Sequence, residues 1–468
     1  MYADAHAIAR WGFHAAGGVG HEPQPNTARR TQDPLPRQIE CSQRHSHQAT
    51  LGRGAQEALI NRGSTMTKAL IIGGGIAGPV TAVALQRAGI ESVVYEAYPA
   101  NAGNAGAFLT VAVNGLDALR ALDLHQPVME LGFSTRTIEL VSGTGKRLGV
   151  IPIGGVLPDG TTTHTIKRAD LYRVLYEITQ RRGIEVQHGK RLVDAEVHAN
   201  GGVTACFEDG TRATGHLLIG ADGIHSRTRR IIDPAAPAPR HLGLGNVGGF
   251  TRTGAVTMTP GAYVMTFGKR AFFGYVVHPS GEIWWFANPP SARRAARRVV
   301  PETLTSDQWK ARLIDLFTDD AGPTVDIIRS TTELVGGTDQ YDLPKVPTWY
   351  RGPMIVIGDA AHAASPSSGQ GASMAIEDAL VLAKCLRDLA EPTAAFQAFE
   401  RLRRPRVERV VAFGARSSSN KAPGPVGRVI RDLLAPFFLK LIARQSQDWL
   451  FGYHIDWDDR VRLGAGTV

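Results

Sequence analysis

The run KALIIGGGIAGPVTAVAL, residues 68–85, ties this chain to one kind of local fold. Lys68–Gly73 has the unbroken aliphatic character of a buried strand, Ala77–Ala88 has helical composition, and Glu91–Glu96 (ESVVYE) reads as a second strand. Together they make a βαβ unit of the usual length, about 30 residues. The glycines fall as Gly73-x-Gly75-x-x-Gly78 at the strand-to-helix turn. In that spacing Gly73 permits the tight turn, Gly75 lets the backbone approach a pyrophosphate, and Gly78 allows close packing of helix on strand. Ile76 and Ala77 lie between the last two glycines, where helix N–H groups face an anion. Pro79 falls in the first helical turn, where its missing N–H is harmless. Glu96, 18 residues beyond Gly78, is placed to accept hydrogen bonds from an adenosine ribose. The segment is expected to hold a dinucleotide.

At 468 residues the chain exceeds one ordinary core, so two domains or one elaborated domain are expected. No apolar run approaches the roughly 18 residues of a membrane-spanning helix. The net charge of +9 favours anionic partners, but it is spread along the chain. Its densest cluster, ARRAARRVV at 292–300, lacks the interleaved aromatics of a single-strand binder, and no nucleic-acid role is expected. Cys41, Cys206 and Cys385 are far apart and include no CxxC pair, so neither disulfides nor a metal site are expected, and the chain reads as reduced and cytoplasmic.

Residues 1–65 contain no lysine, carry five of the fifteen histidines and show no periodicity. They read as a disordered extension upstream of Met66, with neither a secretory nor a twin-arginine signal. Beyond Met66 the pattern continues with a helix at Ala169–Arg182, a strand at Ile184–His188, a hairpin over Ala195–Glu208 and a strand at His216–Gly220. From about 240 to 290 longer alternating runs (AYVMTFG, AFFGYVV, EIWWFANPP) suggest an inserted antiparallel sheet. MIVIG at 354–358 returns to a short parallel-type strand, and a helix follows over Ser373–Leu389.

Two later segments narrow the choice of dinucleotide. LLIGADGIHSRTR, 217–229, carries Asp222 after a strand; MIVIGDAAHAASPSSGQGASMAIEDALVLA, 354–383, carries Asp359 at a strand end and Gly369-Gln370-Gly371 before a helix. With the opening motif and the Arg168-Ala-Asp-Leu171 step, this ordered set resembles the group A flavoprotein aromatic hydroxylases, the para-hydroxybenzoate hydroxylase-like family of FAD-dependent monooxygenases. The resemblance runs from Met66 to the C-terminus. It implies an α/β fold: a Rossmann-like FAD-binding domain of the GR2 type, an inserted antiparallel-sheet substrate domain, and C-terminal helices. The corresponding spans are 66–150, 151–240 and 346–468 for the FAD-binding parts and 241–345 for the sheet domain.

The resemblance assigns FAD contacts to Gly73, Gly75, Ile76, Ala77, Gly78, Glu96, Arg168, Leu192, Asp222, Asp359, Pro366, Gly369, Gly371 and Ala372. Asp359 is expected to accept from ribityl hydroxyls, Pro366 to line the flavin ring, and the Gly369–Ala372 helix start to stabilise negative charge on the reduced flavin. For Asp222 and Asp359 the plain alternative is a helix N-cap. Two departures stand out: 102–116 lacks the arginine many members carry, and Ser373 replaces a frequent asparagine.

The implied activity is a single-component monooxygenase. NADPH or NADH acts transiently to reduce FAD, O₂ gives the C4a-hydroperoxide, and an aromatic or polyketide-like small molecule is hydroxylated or epoxidised. No catalytic residue is assigned, because the cofactor carries the chemistry. Tyr275 and Trp285 are the candidates for a substrate wall, with the bland alternative that sheet aromatics are core. A prenyl-reductase type of flavin reductase and a non-catalytic FAD-binding protein are the rival readings. A monomer or homodimer is expected. The segment 429–443, VIRDLLAPFFLKLIA, is amphipathic and reads as packing against the FAD domain or a dimer partner rather than as a membrane contact.

Overall fold

The computed structural model describes residues 67–99, 106–199, 201–254, 256, 260–291, 304–419, 432–435 and 447–462. The extension 1–65, the basic cluster 292–300 and most of 429–443 lie outside them.

The first layer grows from the βαβ unit. Strand Lys68–Ile72 pairs in parallel with Glu91–Tyr95 on one side and Leu217–Gly220 on the other. Glu185–Gln187 and Met354–Val356 extend the parallel sheet outward, and the short antiparallel strand Tyr350–Arg351 closes one edge. These strands are short and aliphatic because both faces are covered. Ala69, Leu70 and Ile71 are fully buried. The helix Ala77–Arg87 and the 18-residue helix Gly371–Asp388 pack together beside this sheet, with Gly358 between them: a Cβ there would stand 3.3 Å from the Ala375 Cβ and 3.5 Å from the Ala77 Cβ. A three-stranded meander, Leu192–Val197, Val203–Phe207 and Arg212–Gly215, returns the chain to the sheet.

The second layer is a seven-stranded sheet ordered Leu334–Asp342, Arg240–Thr251, Ile283–Asn288, Phe272–Val277, Ala262–Phe267, Thr137–Ser142 and Arg147–Pro152. Two findings refine the sequence reading. The last two strands come from 137–152, well ahead of the 241–345 span, and Ala262–Phe267 pairs with Thr137–Ser142 in parallel, so the sheet is mixed. Alternation within the 240–290 segment cannot reveal a partner a hundred residues earlier, because a strand's pattern reports its faces and not its neighbours.

Helices Ser306–Phe317 and Thr324–Ser330 cover one face of this sheet around Leu313, Phe317, Ile327 and Ile328. The opposite face meets a small sheet of Phe108–Val111, His164–Lys167 and Gly132–Ser134. The long helix Pro392–Ser419 packs on Gly371–Asp388. No described helix is long and apolar enough to cross a membrane.

Candidate functional site

The turn after Lys68–Ile72 is built as its glycines require. Gly73 has φ +110°, and a Cβ there would stand 2.7 Å from the Ala221 carbonyl carbon. A Cβ on Gly78 would fall on the Gly73 carbonyl oxygen. Gly75 differs: nothing lies within 4 Å of its missing Cβ, so space stays open over the helix N-terminus. The helix that starts at Ala77 after Ile76 carries no acidic side chain in its first turn, leaving the positive end of its dipole uncompensated. Glu96 closes the turn by accepting from Gly74 N (2.6 Å, Oε2) and Tyr98 N (2.9 Å, Oε1). Each oxygen keeps a lone pair for a further donor.

Asp222 spends its carboxylate locally. It accepts from Ser226 Oγ (2.5 Å), Arg227 N (2.8 Å), Thr228 N (2.9 Å) and Thr228 Oγ1 (3.0 Å), satisfying the first N–H groups of the helix Arg227–Ile232, whose N-cap is Ser226. The backbone before it, at Ala221, seats Gly73. Leu192 is buried in the core on the strand register of Phe207.

Asp359 shows the opposite behaviour. It follows Gly358, whose φ of +56° turns the chain out of strand Met354–Val356. Among the described residues none donates a hydrogen bond to its carboxylate. Burial pushes that carboxyl above the usual carboxylate range, while His362 and Arg168 pull the other way. Asp359 is nonetheless exposed, as are Pro366 and Gly369, each next to a buried residue. An accessible group surrounded this closely by protein lies on the floor of a cleft. Gly371 is beside it, its missing Cβ 4.0 Å from Asp359 Oδ1, and Ala372 follows half-buried. Arg168 opens the helix Arg168–Arg181 and donates from Nε to Tyr172 Oη at 2.8 Å.

An extended dinucleotide fits this row: open space over Gly75, free acceptor capacity on Glu96, and an unsatisfied carboxylate at Asp359. Two further residues of the quoted segments, neither assigned an FAD contact from the sequence, hold the parts together. Arg229, fully buried, donates to Ala360 O (2.8 Å) and Ile224 O (2.7 Å), tying the Asp222 loop to the Asp359 turn. Ser373 Oγ accepts from Ala112 N (3.0 Å), and Gly115 makes room for it. Arg229 sits with two exposed arginines, Arg227 and Arg230, in HSRTRR, so nothing in the sequence singles it out. The arginine-lacking segment 102–116 is described only from Gly106.

The sheet face toward this layer is aromatic. Phe108, on the strand that pairs with His164–Lys167, meets Trp284 at 5.8 Å, Phe286 at 6.1 Å, Phe250 at 6.4 Å and Tyr263 at 6.5 Å between ring centroids. Tyr263 Oη is held by Thr165 Oγ1 (2.8 Å) and Thr110 Oγ1 (3.3 Å), and burial pushes its phenol up. Lys167 Nζ lies 4.4 Å from the Phe250 ring centroid and 2.9 Å from Glu282, which also accepts from Trp284 Nε1 at 2.7 Å.

Tyr275 and Trp285 are on the other face, which corrects the substrate-wall expectation. Both belong to the core beneath Ser306–Phe317 and Thr324–Ser330, with Trp285 fully buried and donating to Thr331 Oγ1 at 2.9 Å. Of the WW pair, strand alternation sends Trp284 toward the cofactor layer and Trp285 away from it. Among the described residues no His, Cys, Asp and Glu group could hold a metal ion.

Comparison with known proteins identifies the family. The model of the family described as FAD binding domain matches residues 66–414. The 3-amino-4-hydroxybenzoate 2-monooxygenase PtmB3 of Streptomyces platensis is 32% identical over 399 residues, 82% of this chain and 95% of that protein. An FAD-dependent urate hydroxylase of Klebsiella pneumoniae is 30% identical over 352 residues, 74% of this chain and 88% of that protein. The crystal structure of Klebsiella pneumoniae HpxO complexed with FAD and uric acid superposes with a TM-score of 0.68 at 25% identity, covering 82% of this chain and 95% of the other. The chain belongs to the FAD binding domain family and is an FAD-dependent monooxygenase that hydroxylates a small molecule.

Proposed function

We propose that this enzyme uses NADPH or NADH to hydroxylate or epoxidise an aromatic or polyketide-like molecule held against the Phe108 face of the sheet. The observation that carries the reading is the aromatic wall beside the cofactor cleft. Phe108, Phe250 and Met265 remain half-exposed there while Phe133, Tyr263 and Trp284 are buried behind them. Bound FAD would take electrons from the nicotinamide and supply activated oxygen; the protein's own part is to orient the ring and exclude water.

The residues present suit that part. Glu96 and the open turn at Gly75 would hold the ADP half, and Asp359 the polyol between phosphate and flavin. Rings meeting edge-on and stacked form an apolar surface on which a planar substrate packs without stranding polar groups. Lys167 and Glu282 neutralise one another, so the wall carries no uncompensated charge. The relatives named for urate and for 3-amino-4-hydroxybenzoate give the same chemical class, ring compounds.

A screen of NADPH and NADH oxidation over phenols, quinones, polyketides and tetracycline- or rifamycin-like antibiotics tests the reading. The expected result is oxidation stimulated by a ring substrate, with one atom of ¹⁸O₂ in the product. Stimulated oxidation that yields only hydrogen peroxide with every compound, or a reduced product without oxygen, would refute it.

A further inference from the structure

Beneath the Asp359 turn lies a buried charge cluster whose two acids fall within the 354–383 segment without an assigned role there. Glu377 and Asp378, adjacent on the helix Gly371–Asp388, are both fully buried, as is Arg403 on the helix Pro392–Ser419. Arg403 contacts Asp378 Oδ1 from Nε (2.7 Å) and Glu377 Oε2 from a terminal nitrogen (2.6 Å). Arg406 reaches both Glu377 oxygens, at 2.8 Å and 2.9 Å. Asn114 donates to Glu377 Oε1 at 2.6 Å.

Asp378 differs from Glu377 in what its second oxygen holds. Oδ2 accepts from the Gly358 N–H at 2.8 Å and contacts His362 Nε2 at 2.5 Å. Those two groups bracket Asp359: one is the residue before it and the other lies three residues after it. Gly358 has φ +56°, a conformation that glycine adopts without steric cost, and the contact from Asp378 fixes which of glycine's accessible conformations the turn takes. One carboxylate therefore grips both ends of the turn that presents Asp359, while Arg403 anchors its other oxygen to a separate helix.

We propose that Asp378 is a positioning residue for the cofactor: it fixes the Gly358–His362 turn so that the Asp359 carboxylate stands preorganised in the cleft before FAD arrives. The proposal rests on FAD occupying this cleft and not on which substrate is oxidised. Its second consequence is mechanical. The helix Pro392–Ser419, which follows the last of the three motif segments and belongs to none of them, takes part in holding the cofactor floor through Arg403.

The test compares Asp378→Ala and Asp378→Asn with Glu377→Gln, which disturbs the same cluster without touching the turn. Apoprotein of each is titrated with FAD, and amide exchange is followed in the peptide spanning 354–362. Asp378→Ala is expected to bind FAD at least tenfold more weakly than wild type, to shift the absorption envelope of the bound flavin, and to lose protection at the turn. Asp378→Asn, which keeps one acceptor oxygen, is expected to fall between. Glu377→Gln is expected to lower the melting temperature while leaving FAD affinity within about twofold and the turn protected. Equal FAD loss in the Glu377 and Asp378 variants, or unchanged affinity and exchange in the Asp378 variants, would overturn the proposal. If Asp378→Ala does not fold, Asp378→Asn against Glu377→Gln decides on the same readouts. A wild-type apoprotein that takes up no FAD would instead overturn the occupancy of the cleft.

Discussion

The three candidate acids of the cofactor site share a residue type and divide into three behaviours. Asp222 is engaged through both oxygens by its own helix start, Glu96 is half-used in shaping the glycine turn, and Asp359 is left without a donor among the described residues. Sequence motifs cannot separate them, because an N-capping aspartate and a ligand-binding one both follow a strand and precede a helix. The raised carboxyl of Asp359 has a consequence for the apoprotein. Its folded value lies above the unfolded one of about 4, so ionisation opposes folding as pH rises from that value through the raised one. Apo Asp359→Asn is therefore expected to melt higher than apo wild type at pH 7 and equally below about pH 4, while binding FAD more weakly. A thermal scan against pH checks the first and titration the second. The glycines divide in the same way. Gly75→Ala is expected to leave apoprotein stability within about 0.5 kcal/mol and to weaken FAD binding strongly, because its methyl enters open space. Gly78→Ala is expected to prevent a stable fold, because its methyl meets the Gly73 carbonyl; urea unfolding beside FAD titration separates the two.

At the scale of elements, strand Ile283–Asn288 shows how alternation divides structure from function. Trp284 and Trp285 are neighbours in sequence and lie on opposite faces of the sheet. Trp285→Ala is expected to destabilise the holoprotein by about 3–5 kcal/mol with little change in KM, since it empties the core under Ser306–Phe317. Trp284→Leu is expected to raise KM for the substrate and the share of NAD(P)H diverted to hydrogen peroxide, measured by steady-state kinetics with a peroxide assay. The helices and parallel strands were legible from their patterns: Ala77–Arg87, Arg168–Arg181 and Gly371–Asp388 lie within two residues of their expected bounds. Facing was not legible, because an alternating strand buried on both sides presents two equally apolar faces.

Across the whole molecule, ionisation in the buried cluster joins the cofactor floor to the C-terminal helix. Burial pushes Asp378 upward, but His362 and Arg403 outweigh it and hold the carboxyl at about 2. With its folded value below the unfolded one of about 4, this group stabilises the protein fully above that unfolded value, and the contribution fades as pH falls toward about 2. The melting temperature of wild type is expected to drop over that window, and that of Asp378→Asn to be lower at neutral pH and flatter in acid. The fingerprint glycines, Glu96 at its offset and the two later aspartate motifs were enough to read the cofactor class and the order of elements, because phosphate cradles and helix starts depend on local backbone geometry, which short sequence spacing encodes. Which aspartate is left free, which tryptophan packs on the Phe108 side of the sheet, and the joining of Arg229 to Ala360 and of Arg403 to Asp378 emerged only in three dimensions. These are contacts between segments 25 to 131 residues apart or choices between sheet faces, and they are set by how separate elements pack rather than by any residue's neighbours along the chain.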